Sequence, residues 1–308
     1  ENGYRQVLSI AFPLVLSMGS VAIMLFVDRM FLTWHSAEAV AASMPAGMLN
    51  FALMTLFMGT AGYTSTFVAQ YHGAGRHDRI GPTVWQGIYI AMIGGAALLA
   101  LAPFAGIFFR FIGHDVAIRE NEVVYFRLLC FGAMPFVASA AVAGFFSGRG
   151  RAWPVMWVNV LATSINALMD YVLIFGHWGF PELGIKGAAI ATVISSSVGF
   201  IVYLALLSRR ANNTQYRTIS GWRFDQVLFR RLVRFGLPNG LQFFIDMIGF
   251  TVFILFMGRL GTTPLAAINV AMNVNIIAFL PMIGVGIAIS VLVGQSLGRD
   301  RPDLAERS

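Results

Sequence analysis

Eight predominantly apolar stretches, each long enough to cross a lipid bilayer, dominate the 308-residue chain. A hydrocarbon core about 30 Å thick takes roughly 20 apolar residues as α-helix, and it offers no water to backbone N–H and C=O groups. Those groups must be satisfied within each stretch, so the spans are helices. Their expected bounds are 7–33, 39–70, 83–112, 119–146, 153–176, 186–208, 229–258 and 264–295. Several exceed a minimal span, which allows tilt or kinks, and Pro13, Pro45, Pro103, Pro135, Pro238 and Pro281 are the candidate kink positions. The first stretch is too long for the apolar core of a secretory signal and lacks a small-residue cleavage site, so it reads as a retained span. The fold class expected is all-α: a polytopic helical bundle integral to a membrane.

Composition excludes the soluble alternatives. Charged residues make up 11% of the chain and mean hydropathy is +0.73, whereas a soluble domain carries about 25% charged residues. The one cysteine, Cys130, lies in an apolar run and rules out a disulfide framework; packing is its expected role. The five histidines form no HxxxH or HExxH pattern, and no P-loop or GxSxG occurs. No nucleophile and base pair or metal cluster falls within the spans. An enzyme and a bound cofactor are therefore not expected.

Orientation follows from the arginines, because Lys and Arg near span ends are retained on the cytoplasmic side. One set of loops holds Arg5; Arg76 and Arg79; Arg149 and Arg151; seven arginines between Arg209 and Arg234; then Arg299, Arg301 and Arg307. The opposite set holds little beyond Arg119, Lys186 and Arg259. Both ends of the chain are thus expected in the cytoplasm. The net charge of +7 is explained by this topology and by contact with anionic membrane lipids, without nucleic acid. The longest hydrophilic stretch, Ser208 to Arg231, separates six spans from two. Its Trp222 and Phe224 beside basic residues suggest an amphipathic piece on the cytoplasmic face; a solvated linker is the alternative.

The chain repeats itself. A gap-free shift of 225 residues pairs Pro13 with Pro238, Phe31 with Phe256, Asn50 with Asn275, Gly59 with Gly284, Gln70 with Gln295 and Gly73 with Gly298. Spans seven and eight therefore repeat spans one and two. The expected organisation is a six-helix lobe over 1–208, a linker over 209–228 and the first two helices of a repeated lobe over 229–308. Six helices per unit bring the second unit in from the same side, relating the halves by an axis along the membrane normal. By that logic a complete protein has twelve helices. The start at Glu1 and the close on "GRDRPDLAERS" just after a span agree with a fragment.

Three acidic residues lie well inside the spans: Asp28, Asp170 and Asp246. Each costs about 2.5 to 3.5 kcal/mol at a helix centre on insertion scales, so each needs a partner, a proton or a wet cavity. On span five, Asn159, Thr163, Asn166 and Asp170 share one helical stripe. Such a stripe can build a site, or it can hydrogen-bond helices together. Asp28 late in ascending span one, Asn166 and Asp170 late in ascending span five and Thr192 early in descending span six share one depth. Their hard oxygens suit a sodium ion. They suit a proton equally, because two neighbouring carboxylates in a low dielectric cannot both stay ionised without a counter-charge. Arg29 either reaches out to headgroups or pairs with a carboxylate.

On span seven, Asn239, Gln242 and Asp246 form a second stripe, a candidate for substrate or coupling; partnering by further helices is the alternative. Asn50 and Asn275, and the pair Asn269 and Asn273, could line a cleft or bond helices. Gln70 and Gln295, each ahead of a glycine, are expected to end helices. The abundant Phe and Met could form an adaptable surface for varied compounds, or pack against lipid.

Several segments together resemble the multidrug and toxic compound extrusion (MATE) transporters. They are "AFPLVLSMGSVAIMLFVDRMFL", "TSTFVAQYHGAGR", "FFSGRGRAWPVMWVN" and "NALMDYVLIFGHWGFPELGIKGAAIATVIS". The resemblance implies a secondary antiporter that exports organic, often cationic, drugs or toxic compounds on inward sodium or proton flow. It also implies twelve helices in two lobes and a monomer when complete. Asp28, Asn166, Asp170 and Thr192 match the family's amino-terminal-lobe cation site, and Asp246 resembles the acidic residue many members carry in the second lobe. A flippase for a lipid-linked precursor or polysaccharide, from the same fold group, and a non-transporting membrane fragment are the alternatives. The flippase predicts a cationic cleft, against which the intramembrane acids argue.

Overall fold

A computed structural model describes the backbone of residues 4–112, 115–259 and 262–306, with side chains in these ranges except at 111–112, 254–274 and 276–278. Every regular element among the described residues is helical. Span one is α1 (Tyr4–His35), and a single residue, Ser36, separates it from α2 (Ala37–Gly62). Such a tight reversal needs a strong helix start, and the Ser36 hydroxyl accepts from the N–H groups of Glu38 and Ala39 at 3.2 and 3.3 Å. Span two continues as α3 (Thr64–Gly73) after a break at Tyr63.

Span three is also divided, into α4 (Ile80–Leu101) and α5 (Ala105–Ile112), by a 3₁₀ turn at Ala102–Phe104. Pro103 sits in that turn and has no N–H to continue the α ladder. The other five candidate prolines lie inside their helices. Then come α6 (Val116–Ser147), α7 (Trp153–Phe175) and α8 (Ile185–Leu207). After the short α9 (Arg210–Tyr216) follow α10 (Gln226–Arg259), α11 (Thr262–Gly298) and a closing turn, α12 (Pro302–Glu306). Seven of the expected eight spans are long and apolar enough to cross a bilayer among the described residues. The exception is α10, which has the length and carries Arg230, Arg231, Arg234, Asn239, Gln242 and Asp246.

Bundle packing expresses the repeat. α10 packs on α2, and α1 packs on α11, which are the same pair of contacts under the 225-residue shift. A Cβ on Gly59 would meet the backbone of Gly240, and one on Gly284 would meet Val15, the residue equivalent to Gly240. At the Arg-rich end the match is closer still: a Cβ on Gly73 would fall on the backbone of Gln295, and one on Gly298 on that of Gln70. Small residues let these backbones approach. Gln295 does more than end a helix, since its Nε2 donates to the Gly148 carbonyl at 2.9 Å.

The segment after α8 is neither free nor simply amphipathic. Thr218 is buried, its hydroxyl donates to the Leu207 carbonyl at 2.8 Å, and its own carbonyl accepts from Trp85 Nε1 at 2.6 Å. Tyr89 donates to the Trp222 carbonyl. The segment is therefore strapped onto α4, leaving Trp222 and Phe224 exposed. Asp225 starts α10 by accepting from Val227 and Leu228 N–H, both at 3.0 Å. Asp225→Ala is expected to lower stability by about 0.5 to 2 kcal/mol, read as a lower melting temperature in detergent.

Candidate cation site and its neighbouring cavity

α1 and α7 run parallel in a constant register, and their polar residues meet in rungs. Asn159 Nδ2 donates to Ser17 Oγ at 2.5 Å, and Thr163 Oγ1 donates to the Ser20 carbonyl at 3.1 Å. Two turns further along, Asp28 faces Asp170 closely enough for the carboxyls to hydrogen-bond once one is protonated. Beyond them an aromatic group closes the seam, with Phe31 at 6.2 Å from Tyr171 and 5.8 Å from Phe175 between ring centroids. The last rung is His35 Nε2 to Glu182 Oε1 at 3.0 Å.

These rungs divide the polar stripe of α7 into two kinds of residue. Asn159 and Thr163 are satisfied by α1 and tie the helices together. Asn166 and Asp170 are fully buried, and Asp28 is 7% exposed. Asp28 Oδ1, both Asp170 oxygens and both polar atoms of the Asn166 amide have no hydrogen-bond partner. Either orientation of that amide leaves an oxygen unsatisfied. Orphaned buried polar atoms are rare because each forgoes its water without compensation. Three oxygens of the acid pair and the oxygen of the Asn166 amide are thus buried without a donor. Hard oxygen donors fit a sodium ion, or a proton shared by the carboxyls.

Asp28 also opens onto a cavity of about 360 Å³ between α1, α2, α6, α8 and α10. Thr192 lines the same cavity, and its hydroxyl donates along its own helix to the Ala188 carbonyl at 3.0 Å, leaving oxygen lone pairs free to accept. Methionine is the commonest lining residue, and Met247 and Phe250 of α10 form one wall. Arg29 lies on the cavity wall and is exposed; it joins no ion pair among the described residues. Asn50 faces the cavity too, with its Nδ2 at 3.7 Å from Cys130 Sγ.

Tyr125 of α6 was not singled out by sequence, yet it lines the cavity and lies within electrostatic reach of both Asp28 and Asp170. A buried tyrosine inside an apolar span was the available signal. On α10 the second stripe separates: Asn239 Nδ2 donates to the Gly59 carbonyl at 3.0 Å, while Gln242 and Asp246 are exposed. Asn275 is exposed, and the side chains of Asn269 and Asn273 lie outside the described residues. No group of three or more His, Cys, Asp or Glu suited to a metal occurs among the described residues.

Asn159→Leu offers a direct check on the division of the stripe. Losing an interhelical bond of this kind costs about 0.6 to 2 kcal/mol. The variant is expected to melt earlier in detergent than the parent; an unchanged melting temperature would mean that Asn159 does not tie the helices together.

The family model MatE matches residues 13–172 and 238–308. A Bradyrhizobium diazoefficiens protein named "Probable multidrug resistance protein NorM" is 30% identical over 99% of this chain and 66% of its own length. A Shewanella oneidensis protein of the same name is 24% identical over 98% of this chain and 66% of its own. The chain thus spans 66% of the length of these curated relatives. Among solved structures, an outward-facing multidrug resistance MATE family transporter superposes with a TM-score of 0.88 at 20% identity, over 98% of this chain and 66% of that one. A MOP superfamily transporter from Pyrococcus furiosus gives 0.85 at 21% identity, with the same coverage. The helix order, the repeat and the family match over most of the chain lead to one conclusion: the chain belongs to the MATE family.

Proposed function

We propose that the protein exports organic, often cationic, compounds by secondary antiport, drawing on inward flow of sodium or protons through the seam between α1 and α7. The observation that carries this reading is the set of four unpartnered buried oxygens on Asp28, Asn166 and Asp170, beside an apolar cavity that Asp28 also lines. In this reading a sodium ion or a shared proton offsets one charge of the acid pair and favours the closed seam. An organic cation in the methionine-rich cavity is drawn to Asp28 and favours the state in which the pair has released its ion. Coupling is then a difference in affinity between two states. The membrane potential contributes about 2.3 kcal/mol per charge per 100 mV, to which the ion gradient adds.

Thr192 joins the site as a cavity-side oxygen. Gln242 and Asp246 serve the substrate side, next to Met247 on the cavity wall. Residues 1–208 act as the ion-coupled lobe, 209–228 as the cytoplasmic strap, and 229–308 supply two helices of the opposing lobe. The setting is a bacterial inner membrane, with both ends of this chain cytoplasmic and lipid around a monomer. The names of the relatives, which concern multidrug resistance, agree with this reading.

The test is reconstitution of the chain in vesicles loaded with a fluorescent organic cation. An inward sodium gradient at fixed pH, or an inward proton gradient without sodium, is expected to accelerate efflux over empty vesicles. The effective gradient identifies the ion. Failure of both to drive efflux from correctly folded protein would overturn the proposal.

A further inference from the structure

At the Arg-rich end of the bundle, four elements bring three arginines and two histidines together. Arg149, in the turn between α6 and α7, is 8% exposed. Its Nε donates to the Phe145 carbonyl at 2.9 Å, and its Cζ lies 3.6 Å above the Phe145 ring and 4.6 Å from the centre of Tyr216. Tyr216 in turn meets His77 edge-on at 5.5 Å, and His77 lies 5.3 Å from His72 at the end of α3. The charges of Arg149, Arg151 and Arg299 all bear on the His72 ring, and no carboxylate does. The reciprocal contact of Gly73 and Gly298 brings Arg299, just past α11, to this place.

Three acids at this end pair with other arginines, and Asp300, which follows Arg299, is exposed and joins no ion pair among the described residues. Asp78 lies 3.9 Å from Arg79, Asp225 lies 3.4 Å from Arg79, and Asp303 lies 2.9 Å from Arg301. No ion pair among the described residues includes Arg149, Arg151, Arg299, His72 or His77. Nδ1 of His72 and of His77 is buried without a hydrogen-bond partner. Aromatic faces offset part of the desolvation of Arg149, but they do not balance its charge. Burial draws that guanidinium below its ordinary value, with the Tyr216 hydroxyl opposing.

We propose that Arg149, Arg151 and Arg299, with the imidazoles of His72 and His77, form a binding site for a phosphate group at the Arg-rich end of the bundle. Guanidinium forks suit phosphate oxygens, and the imidazoles add N–H donors to the same target. The exposed Arg151 and Arg299 give the site its entrance, and Arg149 its depth. Its position at the span ends is the level of lipid headgroups, where phosphate is supplied by an anionic phospholipid or by a soluble phosphate. The site is separate from the acid pair, and its test does not depend on transport.

The full chain in nanodiscs of equimolar phosphatidylglycerol and phosphatidylcholine, released for native mass spectrometry, reads the lipid source. The parent is expected to retain phosphatidylglycerol in preference, and Arg151→Gln/Arg299→Gln to reduce that preference about tenfold. Both side chains are exposed, so the fold tolerates the change. Arg301→Gln, which loses a charge already paired with Asp303, is the control and is expected to retain the preference. Inorganic phosphate added to the chain in detergent reads the soluble source, as a rise in melting temperature that the double variant loses. Either response, lost in the double variant alone, supports the site and names its source. The proposal is overturned if the parent shows neither response, or if the double variant behaves as the parent or as Arg301→Gln does.

Discussion

Vesicles carrying Asp170→Asn are expected to show no efflux of a fluorescent organic cation above the empty-vesicle rate under either gradient, while the variant melts at a higher temperature than the parent in cation-free buffer. The two effects share one cause. Asp170 and Asp28 face each other in a seam where Asp28 Oδ1 and both Asp170 oxygens are buried without a partner. Asparagine keeps the shape, removes one potential charge and brings an N–H₂ group within reach of Asp28. A hydrogen bond to a charged group stabilises by about 1.5 to 3 kcal/mol, and the seam no longer needs a cation to be satisfied. With one carboxyl gone and Asp28 held by an amide donor, the pair gains far less from sodium or a proton, so the gradient loses its handle. Such a trade of stability against activity marks a functional site. Efflux at the parent rate would remove Asp170 from the coupling step; loss of efflux with an earlier melt would mean that the carboxylate merely supports the fold.

That seam also shows how far side-chain roles follow from spacing. The periodicity of α7 placed Asn159, Thr163, Asn166 and Asp170 on one face; Asn159, Thr163 and Asp170 meet α1, and Asn166 is buried. Spacing carries no information on what stands opposite. Ser17 and the Ser20 carbonyl happen to answer Asn159 and Thr163, and nothing answers Asn166 and Asp170. Tyr125 could not be added to the group, since it reaches the acids from α6, whose place beside α1 depends on tertiary packing. Asn239 looked like a partner of Asp246 for the same reason that Asn159 looked like a partner of Asp170. It proves to bond the Gly59 carbonyl, through a close approach that the repeat of small residues allows.

Helix existence and order were legible because lipid leaves the backbone no other choice. Breaks were less so. Pro103 interrupts its span, whereas Pro135 stays within α6. The break at Tyr63 carries no proline at all. The segment after α8 reads as a polar linker by composition, and its attachment rests on bonds from Trp85, Tyr89 and Gln86 of α4, residues more than a hundred positions earlier.

The Gly73→Ala and Gly298→Ala variants are each expected to destabilise the protein by about 1 to 3 kcal/mol or more, the range for overpacking a filled contact. The atoms in the way explain the size. At Gly73 they belong to the backbone of Gln295, and at Gly298 to the backbone of Gln70 and Ala74, so no side chain can rotate aside. The ends of α3 and α11 must separate instead, which also strains the bond from Gln295 to the Gly148 carbonyl. Gly19→Ala supplies the contrast, because a Cβ there meets nothing within 4 Å. In a helix interior alanine is favoured over glycine by about 0.5 to 1 kcal/mol, so Gly19→Ala should melt at the parent temperature or above it. The double variant Gly73→Ala/Gly298→Ala should lose less than the sum of the single losses, since one separation of the helix ends relieves both clashes. Melting curves in detergent, followed by tryptophan fluorescence, measure all four. Additive losses would mean that the two glycines sit in independent contacts, and the reciprocal packing inferred from the 225-residue repeat would not hold at this end of the bundle.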